Sequence, residues 1–110
     1  MREFITEDEV EAAVHSLALG AENHARAKAK MKYWEKHIKS VLAIEALRQK
    51  GKSMTENKTR AEASDAYQKA TKDYEESVFD FTLKEDKRAA AEATIEAWRT
   101  ISSSNRRGNI

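Results

Sequence analysis

The chain has 110 residues, a formal net charge of +1, no cysteine and no proline. The absence of cysteine excludes disulfide bridges, thiolate chemistry and zinc ribbons, and the near-zero net charge points to no particular partner. Alanine accounts for 18 residues and charged residues for 35% of the chain, a composition typical of long helices. A chain of this length predicts a single helical domain, over residues 1–101.

A first long helix is predicted over residues 7–50. Thr6 is placed to cap its N-terminus, and Glu9, three residues later, completes a capping box. Gly51 is the predicted C-terminal stop, because glycine readily adopts the left-handed conformation that ends many helices.

Apolar residues follow this helix at spacings of three and four, but their phase changes part-way along it. A strict heptad would place His24 in the apolar seam, whereas Ala27 and Met31 fit the seam only after a three-residue shift. Gly20 lies beside this shift. We therefore expect a bend or a break in the helix near residues 20–24.

The polar residues 51–64 form the predicted connector between two helices. Two starts for the second helix compete here. Thr59 followed by Glu62 is a capping-box pattern, and Ser64 followed by Asp65 is another start signal. A short turn that precedes a helix start at residue 65 reconciles the two patterns.

The second long helix is predicted over residues 65–101. Apolar residues again recur at helical spacing, and alanines among them permit a close approach of helices. Residues 102–110 are rich in serine, asparagine and arginine and are predicted to form a flexible tail.

These elements predict an all-α fold: a long antiparallel helical hairpin of coiled-coil type. Each of two paired helices can bury only one apolar stripe against the other, so large aromatic side chains would stay partly exposed to solvent in a monomer. We therefore expect a homo-oligomer, with the hairpin dimerising into a four-helix bundle. The predicted oligomer core consists of Val14, Leu17, Met31, Trp34, Ile38, Leu42, Tyr74, Val78, Phe81, Ile95 and Trp98.

Charge is unevenly distributed, since residues 23–52 carry nine basic and two acidic side chains. On a helical wheel Lys28, Lys32, Lys36 and Lys39 fall within a sector of about 80°. Like charges four residues apart repel, so this arrangement costs helix stability, and a row of lysines suits a phosphate backbone. The alternative is a solvated face whose lysine stems cover the edge of the core. The predicted nucleic-acid-binding residues are Arg26, Lys28, Lys30, Lys32, Tyr33, Lys36 and Lys39.

Catalytic and metal-binding patterns are missing from the sequence. No two of the three histidines (His15, His24 and His37) lie on adjacent turns of a helix. No glutamate precedes a histidine by three residues, which is the spacing that carboxylate-bridged metal sites in helical bundles use. Glycine-rich phosphate loops, nucleophile elbows and metalloprotease motifs are absent. We expect no enzyme activity, no metal, no cofactor and no small-molecule substrate. No window approaches the roughly 18 apolar residues of a membrane span, so we expect no membrane association and a cytoplasmic location.

Three segments carry a resemblance to a known family. Residues 33–43 read YWEKHIKSVLA, residues 89–99 read AAAEATIEAWR, and the acidic opening at residues 6–12 reads TEDEVEA. Over most of residues 4–100 the chain resembles a family of small, all-helical, largely uncharacterised proteins of tailed phages and prophages. The resemblance implies a gene near replication and recombination genes and a location in the bacterial host cytoplasm. The family defines no catalytic residues, so none are carried over.

Three functional hypotheses follow from these observations. The first is an accessory, non-catalytic nucleic-acid-binding protein of phage replication or recombination. The second is a protein-interaction module, such as a scaffold, adaptor or inhibitor of a host or phage protein, that acts through its helical surface. The third is a purely structural helical oligomer.

Overall fold

The computed structural model describes residues 5–108, and the side chains of residues 5–105. Over this range the chain forms three α-helices and no strand: α1 (Glu7–Arg48), α2 (Met54–Glu62) and α3 (Asp65–Gly108). The prediction of an all-α fold is therefore confirmed. Within residues 5–108, no helix combines the length and the apolar character that crossing a bilayer requires.

The start of α1 is as predicted. The backbone N–H of Glu9 donates to Thr6 Oγ1 at 3.2 Å, and the first turn carries Glu7, Asp8 and Glu9. The negative charges there favour the helix, because they oppose the positive end of its dipole. α1 is one continuous helix through Gly20, which excludes a break at that point.

Gly51 has a different role from the predicted one. α1 ends at Arg48, and no described glycine has a positive φ, so Gly51 is not a left-handed stop. A Cβ at Gly51 would lie 2.5 Å from Asn57 Oδ1 and 3.0 Å from Glu56 Cγ. The Gly51 N–H donates to that same Asn57 oxygen at 2.7 Å. A larger residue at position 51 would require the Asn57 and Glu56 side chains, which fold over this backbone, to move.

The predicted connector contains a helix, α2, that the sequence analysis did not predict. Ser53 is its N-cap, because Ser53 Oγ accepts a hydrogen bond from the Glu56 N–H at 3.1 Å. The Glu56 carboxylate in turn accepts from the Lys52 N–H at 2.8 Å. This capping pair lies six residues before the predicted pair. Thr59 lies inside α2, where its hydroxyl donates to the Thr55 carbonyl at 3.0 Å, so it caps nothing.

α3 begins at Asp65, as predicted. The Tyr67 N–H donates to Ser64 Oγ at 3.2 Å, so Ser64 takes the capping position and only two residues separate α2 from α3. The helix continues to Gly108, past its predicted end near residue 101. Neither proline nor glycine interrupts residues 102–107, which explains why the helix continues there. The last two residues of the predicted tail lie outside the described residues.

The chain divides into two compact units. The terminal unit combines α1 up to His24 with α3 from Leu83 onward, and the middle unit comprises Ala25–Thr82. In the terminal unit Arg88 Nη1 donates to the Leu17 carbonyl at 3.0 Å, and His24 is hydrogen-bonded to Glu85. These pairs run in opposite directions along the two helices, so α1 and α3 are antiparallel within this unit.

The buried side chains are small. Among the described residues no large side chain falls below 2% exposure. Small residues at a helix interface allow the backbones to approach closely, and larger side chains then lie along the edges of the contact. The burial of Ala27 agrees with the predicted change of phase. The buried residues are Ala13, Ala27, Ala61, Ala70, Ala91 and Ser77.

The residues of the predicted oligomer core lie at these edges. Val14 is 51% exposed, and its neighbour Ala13 takes the buried position instead. The other ten residues are all half-buried. They are Leu17, Met31, Trp34, Ile38, Leu42, Tyr74, Val78, Phe81, Ile95 and Trp98.

Candidate nucleic-acid interface

The lysine face consists of Lys28, Lys32, Lys36 and Lys39 on α1, within the middle unit. All four side chains are exposed, and they occupy one sector of about 80° around the helix axis. From the first to the last, the face extends about 16 Å along that axis, at 1.5 Å per residue. It lies away from Ala27, whose side chain is 5% exposed and faces the interior.

None of the four lysines has an ion-pair partner among the described residues. Glu35 lines a shallow depression together with Lys32, Lys36 and Lys39, yet its carboxylate is more than 4.0 Å from each ammonium group. This part of α1 therefore presents four positive charges and one negative charge to solvent, with no ion pair between them. Such a surface attracts polyanions.

The remaining predicted binding residues lie on another side of α1. Arg26, Lys30 and Tyr33 are exposed, but they are centred about 120° from the lysine face around the axis. Arg26 already takes part in an interaction within the protein. The seven predicted residues thus do not form one continuous surface.

Lys30 lies beside acidic residues of α3. It lines a groove in the middle unit that also includes Asp73, Glu76 and Asp80. The groove also contains Trp34 and the buried Ser77, whose hydroxyl donates to the Tyr74 carbonyl at 2.6 Å. The nearby carboxylates repel a phosphate, so Lys30 is less suited to a nucleic acid than the lysine face.

Tyr33 belongs to an aromatic cluster on α1. Its ring is 58% exposed and stacks on His37, with centroids 5.4 Å apart and an interplanar angle of 12°. Trp34 contacts the edge of the same imidazole at 5.2 Å. The His37 ring covers one face of the phenol ring and holds its orientation.

The polar contacts between α1 and α3 in the terminal unit were not predicted from the sequence. Arg88 is hydrogen-bonded to the Leu17 carbonyl, although 71 residues separate them. His24, which the heptad placed awkwardly in the seam, is hydrogen-bonded to Glu85. The partners on α3 lie in a charged segment, residues 84–88, that reads KEDKR. Among the described residues, no three His, Cys, Asp or Glu side chains are grouped as a metal site would require.

Comparison of the chain with protein-family models, with curated proteins and with solved structures found no match. The functional interpretation therefore depends on the geometry and charge of the described residues.

Removing one charge from the lysine face should stabilise the protein. Lys36 has Lys32 four residues before it and Lys39 three residues after it, with no acidic residue at these spacings, and each like-charge pair costs about 0.2–0.5 kcal/mol. Lys36→Gln should therefore raise the free energy of unfolding by about 0.4–1 kcal/mol in about 0.01 M salt. The gain should vanish in about 1 M salt, where the Debye length is about 3 Å. Urea denaturation at the two salt concentrations measures the difference.

Lys72→Gln is the matched control, because Lys72 is exposed and has Glu75 and Glu76 three and four residues after it. This variant should lose a few tenths of a kcal/mol at low salt. An equal effect of the two substitutions would show that the lysine face carries no unrelieved repulsion.

Proposed function

We propose that this chain is a non-catalytic nucleic-acid-binding protein that contacts the phosphate backbone through the lysine face. The supporting observation is that Lys28, Lys32, Lys36 and Lys39 are exposed on one side of α1 without an ion-pair partner among the described residues. A phosphate backbone would relieve their mutual repulsion, and binding would release the counterions condensed on the nucleic acid.

The spacing of the face suits several successive phosphates. Consecutive lysines are about 4.5–6 Å apart along the helix axis, and the face extends about 16 Å. Phosphates of one strand of a duplex recur about every 3.4 Å, so four or five fall within this length. Lysine is a flexible point charge, and the face carries no asparagine, glutamine or arginine that could read a base edge. The binding should therefore be independent of sequence.

The biological setting that we propose is phage replication or recombination, with the protein as an accessory component. This part of the proposal depends on the resemblance of residues 33–43 and 89–99 to the phage family. The lysine side chains at positions 36 and 39 belong to the first of these segments.

Fluorescence anisotropy with labelled single-stranded and duplex DNA tests the proposal. Four neutralised phosphates predict a slope of log K against log salt of about −3.6 on duplex and about −2.8 on single strands. The Lys32→Gln/Lys36→Gln variant should bind about tenfold more weakly or worse and reduce the duplex slope to about −1.8. Its stability should not fall, so that unfolding cannot account for the loss.

The control variant is Lys69→Gln/Lys72→Gln, which removes the same net charge from exposed positions on α3 in the middle unit. This variant should retain the wild-type slope of log K against log salt. If both double variants weaken binding equally, only the net charge matters and the lysine face is not the binding surface. If the wild type binds no nucleic acid at low salt, the proposal is wrong.

A second candidate function, protein interaction, is favoured by the uncovered apolar side chains. In the middle unit Leu47 is 86% exposed, Met54 89% and Phe79 70%. Covering a large apolar side chain contributes roughly 1.5–3 kcal/mol. We propose that a second copy of the chain covers part of this surface, and that two helical hairpins pair in a four-helix bundle.

Light scattering on an eluting chromatographic peak tests the dimer. We expect a mass of twice the 12.5 kDa of one chain at micromolar concentration. Phe79→Glu should shift the mass toward that of one chain, because it places a charge in the proposed contact. Thr82→Glu, an exposed position on the same helix, should leave the mass unchanged. A wild-type mass of one chain would contradict the dimer and favour a different protein as the partner of these side chains.

A further inference from the structure

A second basic site lies in the terminal unit, apart from the lysine face. A depression between α1 and α3 is lined by Gly20, Asn23 and His24 on one side and by Lys84, Lys87 and Arg88 on the other. We call it the basic depression. Its two walls come from segments that are about 60 residues apart in the sequence, so the fold assembles it.

Arg88 is a half-buried cation that has no carboxylate partner among the described residues. Its Nη1 donates to the Leu17 carbonyl at 3.0 Å, which fixes the guanidinium against α1. No carboxylate of the described residues lies within 4.0 Å of Arg88 or of the neighbouring Lys87. A partly desolvated charge is unfavourable unless it is paired, and a carbonyl supplies only part of that compensation. An anion in the depression would supply the rest.

The acidic residue at this site is already engaged. Glu85 is hydrogen-bonded to His24 across the two helices, so its carboxylate is directed to the histidine. Arg88 and Lys87 then remain at the depression with no carboxylate of the described residues within 4.0 Å. The excess of positive charge matches a dianion better than a carboxylate ligand.

Gly20 is the observation that most strongly indicates a ligand. Glycine inside a helix destabilises it relative to alanine. Its φ is not positive, and a Cβ at this position would lie 4.0 Å from Arg88 Nη1, its nearest neighbour outside the local helix backbone, which is an ordinary contact. The fold therefore does not require glycine at position 20. Because Gly20 has no side chain, the α1 wall of the basic depression has open space at this position.

We infer that the basic depression binds a phosphate group. Arg88 offers a planar fork of N–H donors, and the exposed Lys87 adds an ammonium group from the adjacent position on α3. A phosphate dianion has enough acceptor oxygens for these donors and enough charge to balance them. The phosphate belongs either to free inorganic phosphate or to the terminus of a nucleic acid, and the two share this chemistry. The inference is independent of the lysine face, which lies in the other unit.

Titration of the ¹⁵N-labelled chain with inorganic phosphate at constant ionic strength tests the inference. We expect saturable shifts of the amide signals of Gly20 and Arg88. Gly20→Ala should raise the thermal midpoint without phosphate, because alanine favours the helix, and should weaken phosphate binding at least about tenfold, because the methyl group enters the depression. Lys72→Gln, at an exposed position of the middle unit outside the lysine face, should leave the phosphate affinity unchanged.

A 5′-phosphorylated oligonucleotide and its unphosphorylated counterpart identify the source of the phosphate. If the terminal phosphate of an oligonucleotide is the ligand, only the phosphorylated strand displaces inorganic phosphate from the Gly20 site. If neither strand displaces it, free phosphate is the ligand. The inference is wrong if phosphate causes no saturable shift at Gly20, or if Gly20→Ala binds phosphate as tightly as the wild type does.

Discussion

Close packing of α1 and α3 through small side chains is the constraint on which the rest of the structure depends. In each unit the buried positions on these helices are alanine or serine: Ala13 and Ala91 in the terminal unit, and Ala27, Ala70 and Ser77 in the middle unit. Small residues allow the backbones to approach closely. They also bury little apolar area, at about 25 cal/mol per Å², so the interior contributes less than a core of large side chains would. The length of the two helices compensates by repeating the contact many times.

The same constraint determines what the surface presents. Because the interior accepts only small residues, large side chains such as Phe79 and Leu47 remain exposed and charged residues occupy the outer sectors of the helices. The lysine face is one such sector, where four cations have no ion-pair partner among the described residues. The basic depression arises differently, because Gly20 leaves space beside Arg88 where the two helices meet. Both proposed anion sites thus follow from small or charged residues at defined positions on the same pair of helices.

Features that depend on neighbouring residues could be predicted from the sequence, and features that depend on register could not. The cap at Thr6, the start of α3 at Asp65 and the composition of the lysine face are local properties of the chain, and the first two were confirmed. α2 was missed because the Ser53–Glu56 and Thr59–Glu62 pairs match the same pattern, and only the fold decides between them. Arg88 was missed as a site residue because its partner, the Leu17 carbonyl, lies 71 residues away. Gly20 was expected to mark a bend or break in α1, whereas in the structure it lies beside Arg88 and leaves space in the basic depression.

The central claim, that close contact at small residues holds α1 in place, is tested most directly by the same substitution at two nearby positions. Ala27 is 5% exposed, whereas Ala29, two residues later on α1, is exposed. Leucine has nearly the helix propensity of alanine, so Ala27→Leu and Ala29→Leu differ only in their surroundings. Urea denaturation should show a loss of about 1–3 kcal/mol for Ala27→Leu, because the contact has no room for a larger side chain, and a change within about 0.5 kcal/mol for Ala29→Leu. Equal effects of the two substitutions, or a gain in stability from Ala27→Leu, would contradict the account.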